Sequence, residues 1–434
     1  MGQTSVKKNK NQGLNIMKAI SFLGFNKRGY QETTYLNPIA PGEYKTKFIQ
    51  EALVEFYQPD TLYVLLTNTA ATGIPDNETE SSWETLKKKL GDKVNLQPIN
   101  NVPEGHSTSD IWKLFEMLTD CLEEGDRVVF DITNGFRSLP VLALIAVSYL
   151  RVVRQVEIQG LIYGAFDAKT NNKTPIFDLL PIVSLLEWTT ATDQFIKTGN
   201  GQALASLLDQ GDSTAKDLAV SIEGIAQGLQ LLRPMDVIQE SAILPERIAA
   251  AAPMVSQTVP PFAALLQRVE KDYGSFGLFN STDYRYYPQS SLLRQLKIVE
   301  WYAAKGQIVQ ALSMAREWLP SLLCYHFQLD PLDKGYREEM ELLLTGGKIK
   351  DKDGILIKES QYLVEWSNIP KEKKKQLNRL WGGELNLANL RNDVLHAGFR
   401  KNPKNAQNIL HQTELIIKEL EAIAKVWNLQ DETV

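Results

Sequence analysis

A change of periodicity near residue 184 constrains this chain more than any other feature. Before it, short apolar runs of strand length alternate with helical segments. After it, only three- and four-residue apolar spacings recur. Residues 18–24 (KAISFLG), 61–68 (TLYVLLTN), 94–99, 127–133 (RVVFDIT), 156–166 and 175–179 read as strands bounded by glycine or polar residues. Between them, residues 45–56 place Phe48, Ala52, Leu53 and Phe56 at helical spacing, and 81–90, 107–122 and 137–153 read as helices. Such alternation predicts a mostly parallel sheet with helices on both faces.

The second half reads as helices over 204–208, 219–232, 243–251 and 262–269. An aromatic, turn-rich stretch at 273–289 follows, then helices at 291–304, 306–327, 385–397 and 405–427. Residues 346–359 (GGKIKDKDGILIKE) read as a hairpin turning at Asp353-Gly354. At 434 residues the chain exceeds one ordinary core. The expected division is a disordered tail over 1–16, an α/β domain over 17–183 and an all-α region over 184–434.

A formal net charge of −5 means that bulk charge would not draw nucleic acid, so any such contact needs a local basic patch. Cys121 and Cys324 sit inside apolar helical patterns and read as small buried hydrophobes, not as a disulfide or a metal set. The N-terminal residues lack a hydrophobic signal core, and the apolar run 139–150 is too short to cross a bilayer. A cytoplasmic protein without membrane attachment is expected.

In open parallel sheets, ligands bind beyond the carboxyl ends of the strands. Three such ends carry polar or glycine-rich residues: Gly24, Phe25 and Asn26; Thr67 and Asn68; and Asp131 with Thr133, Asn134 and Gly135. Neither GxGxxG nor a Walker lysine loop is present, which argues against NAD and ATP. In the segment DITNGFR, Gly135 lets a ligand approach the backbone, and the following helix offers free N–H groups. Thr133 and Asn134 can hydrogen-bond a ribose or base, and Arg137 can pair a phosphate. An ordinary strand-to-helix turn, capped by Asp131, is the plainer alternative.

This strand end, with Phe136 and Arg137 completing the string, resembles the DxTHG-motif CRISPR-associated proteins, with Asn134 in place of their histidine. The first strand, ISFLG, and the stretch YQETTYL at 30–36 add to the likeness, which covers about residues 17–180. The resemblance implies a Rossmann-like CARF domain that senses cyclic tetra- or hexa-adenylate made by type III CRISPR complexes.

Near the other end stands Arg391-Asn-Asp-Val-Leu-His396. Five helical steps set Arg391 and His396 about 140° apart, flanking one edge of the helix. Arginine can hold a phosphate and histidine can shuttle a proton near neutral pH. Together they suit attack of an RNA 2′-hydroxyl on its own phosphate, leaving a 2′,3′-cyclic end without a metal. Chance occurrence is the competing explanation. The string resembles the R-x4–6-H motif of HEPN ribonucleases, and residues 310–322 resemble their partner helix. That likeness implies catalytic roles for Arg391, Asn392 and His396. His326 reads as structural, while His106 and His411 lack partner motifs. The run 371–379 (KEKKKQLNR) reads first as a solvated helical face and second as an RNA guide.

The two resemblances together imply a CARF–HEPN endoribonuclease that cuts single-stranded RNA, needs no cofactor and is switched on by a cyclic oligoadenylate. One Arg–His pair is a sparse site, so a homodimer or higher even oligomer is expected. Three alternatives stand beside this reading: a ring nuclease that degrades its activator in the CARF pocket, a non-enzymatic transcriptional regulator, and a HEPN toxin unrelated to CRISPR. No helix-turn-helix pattern supports the regulator, and DNA binding is not expected.

Overall fold

In the computed structural model, which describes residues 16–76, 78–105, 107–135, 139–258, 261–278 and 285–432, the first-half strands join in one sheet. They are β1 (Met17–Leu23), β2 (Thr33–Leu36), β3 (Glu43–Thr46), β4 (Thr61–Leu66), β5 (Asn95–Ile99), β6 (Arg127–Asp131), β7 (Glu157–Gly164) and β8 (Lys173–Asp178). Their order is β3-β2-β8-β7-β6-β1-β4-β5. Only β2–β3 and β7–β8 pair antiparallel, so the sheet is mostly parallel as the alternation predicted.

Side chains alternate across the sheet as the two-residue strand period requires. Ile20, Phe22, Val128 and Phe130 enter one core layer, while Ala19, Leu23, Leu62, Val64 and Val129 enter the other. Helices α1 (Ile49–Tyr57), α2 (Asn68–Thr72) and α3 (Ser82–Leu90) cover the second layer. Helices α4 (Thr108–Asp120) and α5 (Leu139–Val153) cover the first. Each fully buried Leu, Ile or Phe contributes roughly 1.5–3 kcal/mol.

Helix α5 is apolar on both sides. Leu139, Leu142, Ala146 and Leu150 are buried against the sheet, whereas Val141, Ile145, Tyr149 and Val152 lie exposed, Val152 by 82%. From α4, Trp112 is 63% exposed and meets Phe115 edge-on, and Phe115 in turn meets Tyr149.

Two compact units divide between Leu186 and Glu187. The division falls inside helix α6 (Leu180–Thr198), as does the expected break at 183/184. The first part of α6 still belongs to the sheet's core through Val183. Its later part belongs to the second unit, where Trp188 packs on Phe262 and Phe195 stacks on Tyr273. An apolar helix shared in this way shows no composition break at the boundary.

The second unit opens with α7 (Gln202–Leu208), α8 (Ser213–Gln230), α9 (Pro234–Thr258) and α10 (Phe262–Tyr273). It continues with α11 (Pro288–Ala304), α12 (Ile308–His326) and α13 (Lys334–Leu344). A hairpin of β9 (Lys348–Lys350) and β10 (Leu356–Glu359) precedes α14 (Leu363–Asn368) and α15 (Lys371–Trp381). The chain then forms α16 (Leu387–Leu395) and α17 (Ala406–Val426). Three of its buried aromatics satisfy their polar atoms on backbone carbonyls. Tyr273 Oη donates to the Phe195 carbonyl, Tyr302 Oη to Leu229, and Trp318 Nε1 to Leu292.

Cys121 and Cys324 are both free and buried, and burial pushes each thiol up to about 11. Among the described residues no helix is long and apolar enough to cross a membrane.

Candidate functional site

The strand order places β6, β1 and β4 side by side and parallel, so their carboxyl ends share one edge of the sheet. This gathers the three polar strand ends. Gly24 lies close enough to the β6 turn that a Cβ there would stand 3.2 Å from the Asn134 carbonyl, and Tyr30 Oη donates to the Gly24 carbonyl at 2.7 Å. Phe25 is 40% exposed and its ring edge rests on Gly73, where a Cβ would collide with it. Asn26 ties its own loop, accepting at Oδ1 from the Arg28 amide. Thr67 caps α2 by accepting from the Ala70 amide at 3.1 Å, and Asn68 is exposed beside it.

Asp131 and Thr133 hold the turn from beneath. The Asp131 side chain is enclosed, with the residue 1% exposed, and protein donors occupy both its oxygens. Ser21 Oγ donates to Oδ2 at 2.5 Å, while the Thr133 amide and hydroxyl both donate to Oδ1. Thr133 Oγ1 also accepts from the Gly164 amide on β7 at 2.8 Å. Burial raises the Asp131 pKa, and the bonds from Ser21 and Thr133 oppose that rise without cancelling it. Asp131 therefore supports the turn from within and presents neither oxygen to solvent. The groups left facing outward are half-buried Asn134 and exposed Gly135. Phe136 and Arg137 lie outside the described residues, as does His106.

Sequence reasoning missed the polar support of this turn. Gln50 is fully buried, and its Nε2 donates to Ser21 Oγ and the Phe22 carbonyl. The available signal was a polar residue at each of two core positions, Ser21 within ISFL and Gln50 on the buried side of α1. Lys27 and Arg28 were also missed; both are exposed cations directly after Asn26, at the end of β1.

In the second unit, Arg391 and Asn392 lie on α16, and His396 is its exposed C-cap. Arg391 Nη1 donates to Asn392 Oδ1 at 3.3 Å, and its Nε is buried without a hydrogen-bond partner. Asp393, 3% exposed, faces the other way and accepts the Lys404 amide at 2.9 Å. The chain reverses after His396 through two left-handed residues, Ala397 and Gly398. An arginine ready for an anion and an exposed histidine can together hold a phosphate and move a proton.

Structural contacts account for His326 and for part of the basic run. His326 packs edge-on against Phe327 and Trp427, and burial with nearby Lys373 lowers its pKa. In the basic run on α15, Lys373 sits over Trp427, Lys374 caps the Ser367 carbonyl and Arg379 pairs with Glu384 and Glu419. His411 is exposed on α17.

A mostly parallel, Rossmann-like sheet with a polar strand-end site, followed by a helical region, defines the class. Comparison with known proteins gives the family. Residues 18–167 match the model of the CARF domain of the CRISPR system endoribonuclease Csx1, and residues 184–281 match the second domain of CRISPR-associated protein MJ1674. The chain thus carries a CARF domain of the CRISPR-associated type over residues 18–167, followed by a second region that also matches a CRISPR-associated domain. CRISPR-associated protein MJ1674 of Methanocaldococcus jannaschii is 27% identical over 146 residues, spanning 33% of this chain and 23% of that relative's length. The structure of Enterococcus italicus Csm6 bound to cyclic hexa-2'-fluoro-hexa-dAMP aligns over 95% of this chain and 94% of that one, with TM-score 0.48 and 12% identity. Likeness at that level carries no functional weight.

Proposed function

We propose that this protein is a cyclic-oligoadenylate-activated endoribonuclease of type III CRISPR defence, acting in the cytoplasm on single-stranded RNA. The observation that carries the reading is the pairing of a CARF domain with Arg391 and exposed His396 on one helix end. Arg391 would hold the scissile phosphate, with Asn392 steadying its guanidinium. His396 would take the proton of the 2′-hydroxyl as that oxygen attacks phosphorus; the P–O5′ bond would break, the 5′-oxygen would take up a proton from water to leave as a hydroxyl, and a 2′,3′-cyclic phosphate would remain. In this reading α16 belongs to a HEPN domain, and the step uses no metal or organic cofactor.

One such pair supplies a single titrating group, so two copies across a two-fold axis make a fuller cleft. The exposed apolar side of α5 supports dimerisation, since a helix apolar all round is normally covered on both sides. The cyclic ligand would then lie across the strand ends of both copies, near Asn26, Asn68 and Asn134. It would activate by binding the cutting arrangement more tightly than the resting one.

The test is cleavage of labelled single-stranded RNA in chelator, with and without cyclic tetra- or hexa-adenylate, beside His396→Ala. Ligand-dependent cutting that is lost in the variant supports the reading. Equal cutting with and without ligand refutes the activation mechanism. Loss of the cyclic ligand itself in the Arg391→Ala/His396→Ala protein would favour a ring nuclease. Thr133 is ill placed for that chemistry, because its hydroxyl already serves Asp131 and Gly164.

A further inference from the structure

The turn that follows His396 carries a feature for which the Arg–His chemistry has no use. Phe399 is 90% exposed, the most exposed of the large apolar side chains named in either unit. An exposed phenylalanine on a loose loop would mean little, but this one is held. The Phe399 amide donates to the His396 carbonyl at 2.9 Å, closing the reversal through Ala397 and Gly398. On the near side the Gly398 amide donates to the Asp393 carbonyl, and on the far side the Lys404 amide donates to Asp393 Oδ2. Arg400 anchors the middle, donating to Asn389 Oδ1 at 2.8 Å and lying 3.7 Å from Asp393 Oδ1. Two α16 residues thus fix the segment on both sides of the ring, and both stand within two positions of Arg391.

Charge separates the possible occupants. From Arg391 to Lys404 the chain carries Arg391, Arg400, Lys401 and Lys404 against Asp393 alone, in a protein whose net charge is −5. Lys401 is exposed, two positions after Phe399 in the chain. Two copies of so cationic a turn, brought near each other by the proposed two-fold cleft, would not close on one another and would leave a positively charged gap. A polyanion with flat apolar faces is attracted to it, and the nucleobases and phosphates of single-stranded RNA are such a ligand. Base stacking on an aromatic ring tolerates any sequence and needs no hydrogen-bond reading of the base.

We infer that Phe399 is a base-stacking platform for the RNA beside the scissile phosphate, with Lys401 and Lys404 contacting neighbouring phosphates. The inference rests on the ribonuclease reading and adds to it a substrate-positioning element outside the Arg–His pair. Phe399 is a positioning residue for cleavage, because it sets where the strand lies and takes no part in proton transfer.

The experiment uses the full-length chain in a His396→Ala background, so that bound RNA stays intact. A labelled poly-uridylate strand and an abasic strand of equal length are titrated by fluorescence anisotropy. Phe399→Ala is expected to weaken binding of the base-bearing strand about tenfold, the scale of one lost stack, while Phe399→Trp restores it. The abasic strand should be insensitive to both. Lys401→Ala with Lys404→Ala should flatten the dependence of log affinity on log salt by about 0.7 for each lost phosphate contact. RNA binding that is the same in Phe399→Ala as in its parent overturns the inference and leaves the ribonuclease reading standing. If Phe399→Ala instead changes the sedimentation mass, the ring is a contact between copies and the inference is equally overturned. Failure of the parent to bind RNA at all, with no cutting by the wild type, overturns both.

Discussion

Thr133→Val offers the sharpest test of how the strand-end turn is built. The substitution keeps the side chain's shape and removes one hydroxyl that serves two partners. In the native turn that hydroxyl donates to Asp131 Oδ1 at 2.5 Å and accepts from the Gly164 amide at 2.8 Å. A hydrogen bond to a carboxylate contributes about 1.5–3 kcal/mol, and a buried amide left without an acceptor costs about 1–3 kcal/mol. Gly164 is buried, so water does not readily replace the lost partner. The sum is about 2.5–6 kcal/mol of local stability, concentrated where β6 meets β7. Because a chain of two units need not unfold in one step, the suitable assay is native-state hydrogen exchange of the 127–134 and 157–164 segments. At 1.4 kcal/mol per tenfold, exchange in those segments should accelerate roughly 10²- to 10⁴-fold. Thr133→Ser keeps the hydroxyl and should exchange within about tenfold of wild type, having lost only a methyl group. Equal protection in the Val and Ser variants would refute the assignment of the hydroxyl as the link between the two strands.

Three further outcomes are expected. Val152→Glu and Val141→Glu on the exposed side of α5 should lower the mass seen by light scattering while changing monomer stability by less than about 0.5 kcal/mol; a variant that remains a dimer removes α5 from the interface. Because burial raises the folded pKa of Asp131, the native state binds the extra proton, and this group's contribution to stability declines as pH rises from about 4 through the folded pKa. Asp131→Asn has no such titration, so its stability relative to wild type should improve with pH across that interval in urea melts, and a pH-independent difference would contradict the assignment. Lys27→Ala with Arg28→Ala should weaken cyclic-oligoadenylate binding and reduce its salt dependence in calorimetry, whereas an unchanged salt slope would place the ligand's phosphates elsewhere.

The sequence exposed those parts of the fold that rest on periodicity. Buried strands such as β1 and β6 are continuous apolar runs, and their neighbourhood in the sheet follows from parallel α/β connection rules. Strands β2 and β3 were invisible because TTYL and EYKT are four residues each and largely polar. Their place at one edge of the sheet is set by pairing with β8, a contact distant in sequence. For the candidate site, the strand-end residues could be read but their division of labour could not. Asp131 and Asn134 look equally suited to a ligand in the string DITN, and only burial separates them. Asp393 was passed over inside RNDVLH for a similar reason, since its carboxylate serves a backbone amide eleven residues later.

The Asp131–Ser21–Thr133 arrangement also bears on how such a sensor can change over time. The residues that fix the turn point inward, and those available to a ligand point outward from the same few positions. On the proposed reading, a substitution at Asn134, Asn26 or Asn68 would therefore alter what is recognised without disturbing what holds β6 to β7. The reverse also applies, because Asp131 and Thr133 are bound by the packing of the sheet whatever the ligand is. Such a segment can stay recognisable across a family while its members diverge in ligand, and the short string that best betrays its ancestry is then a poor guide to its selectivity.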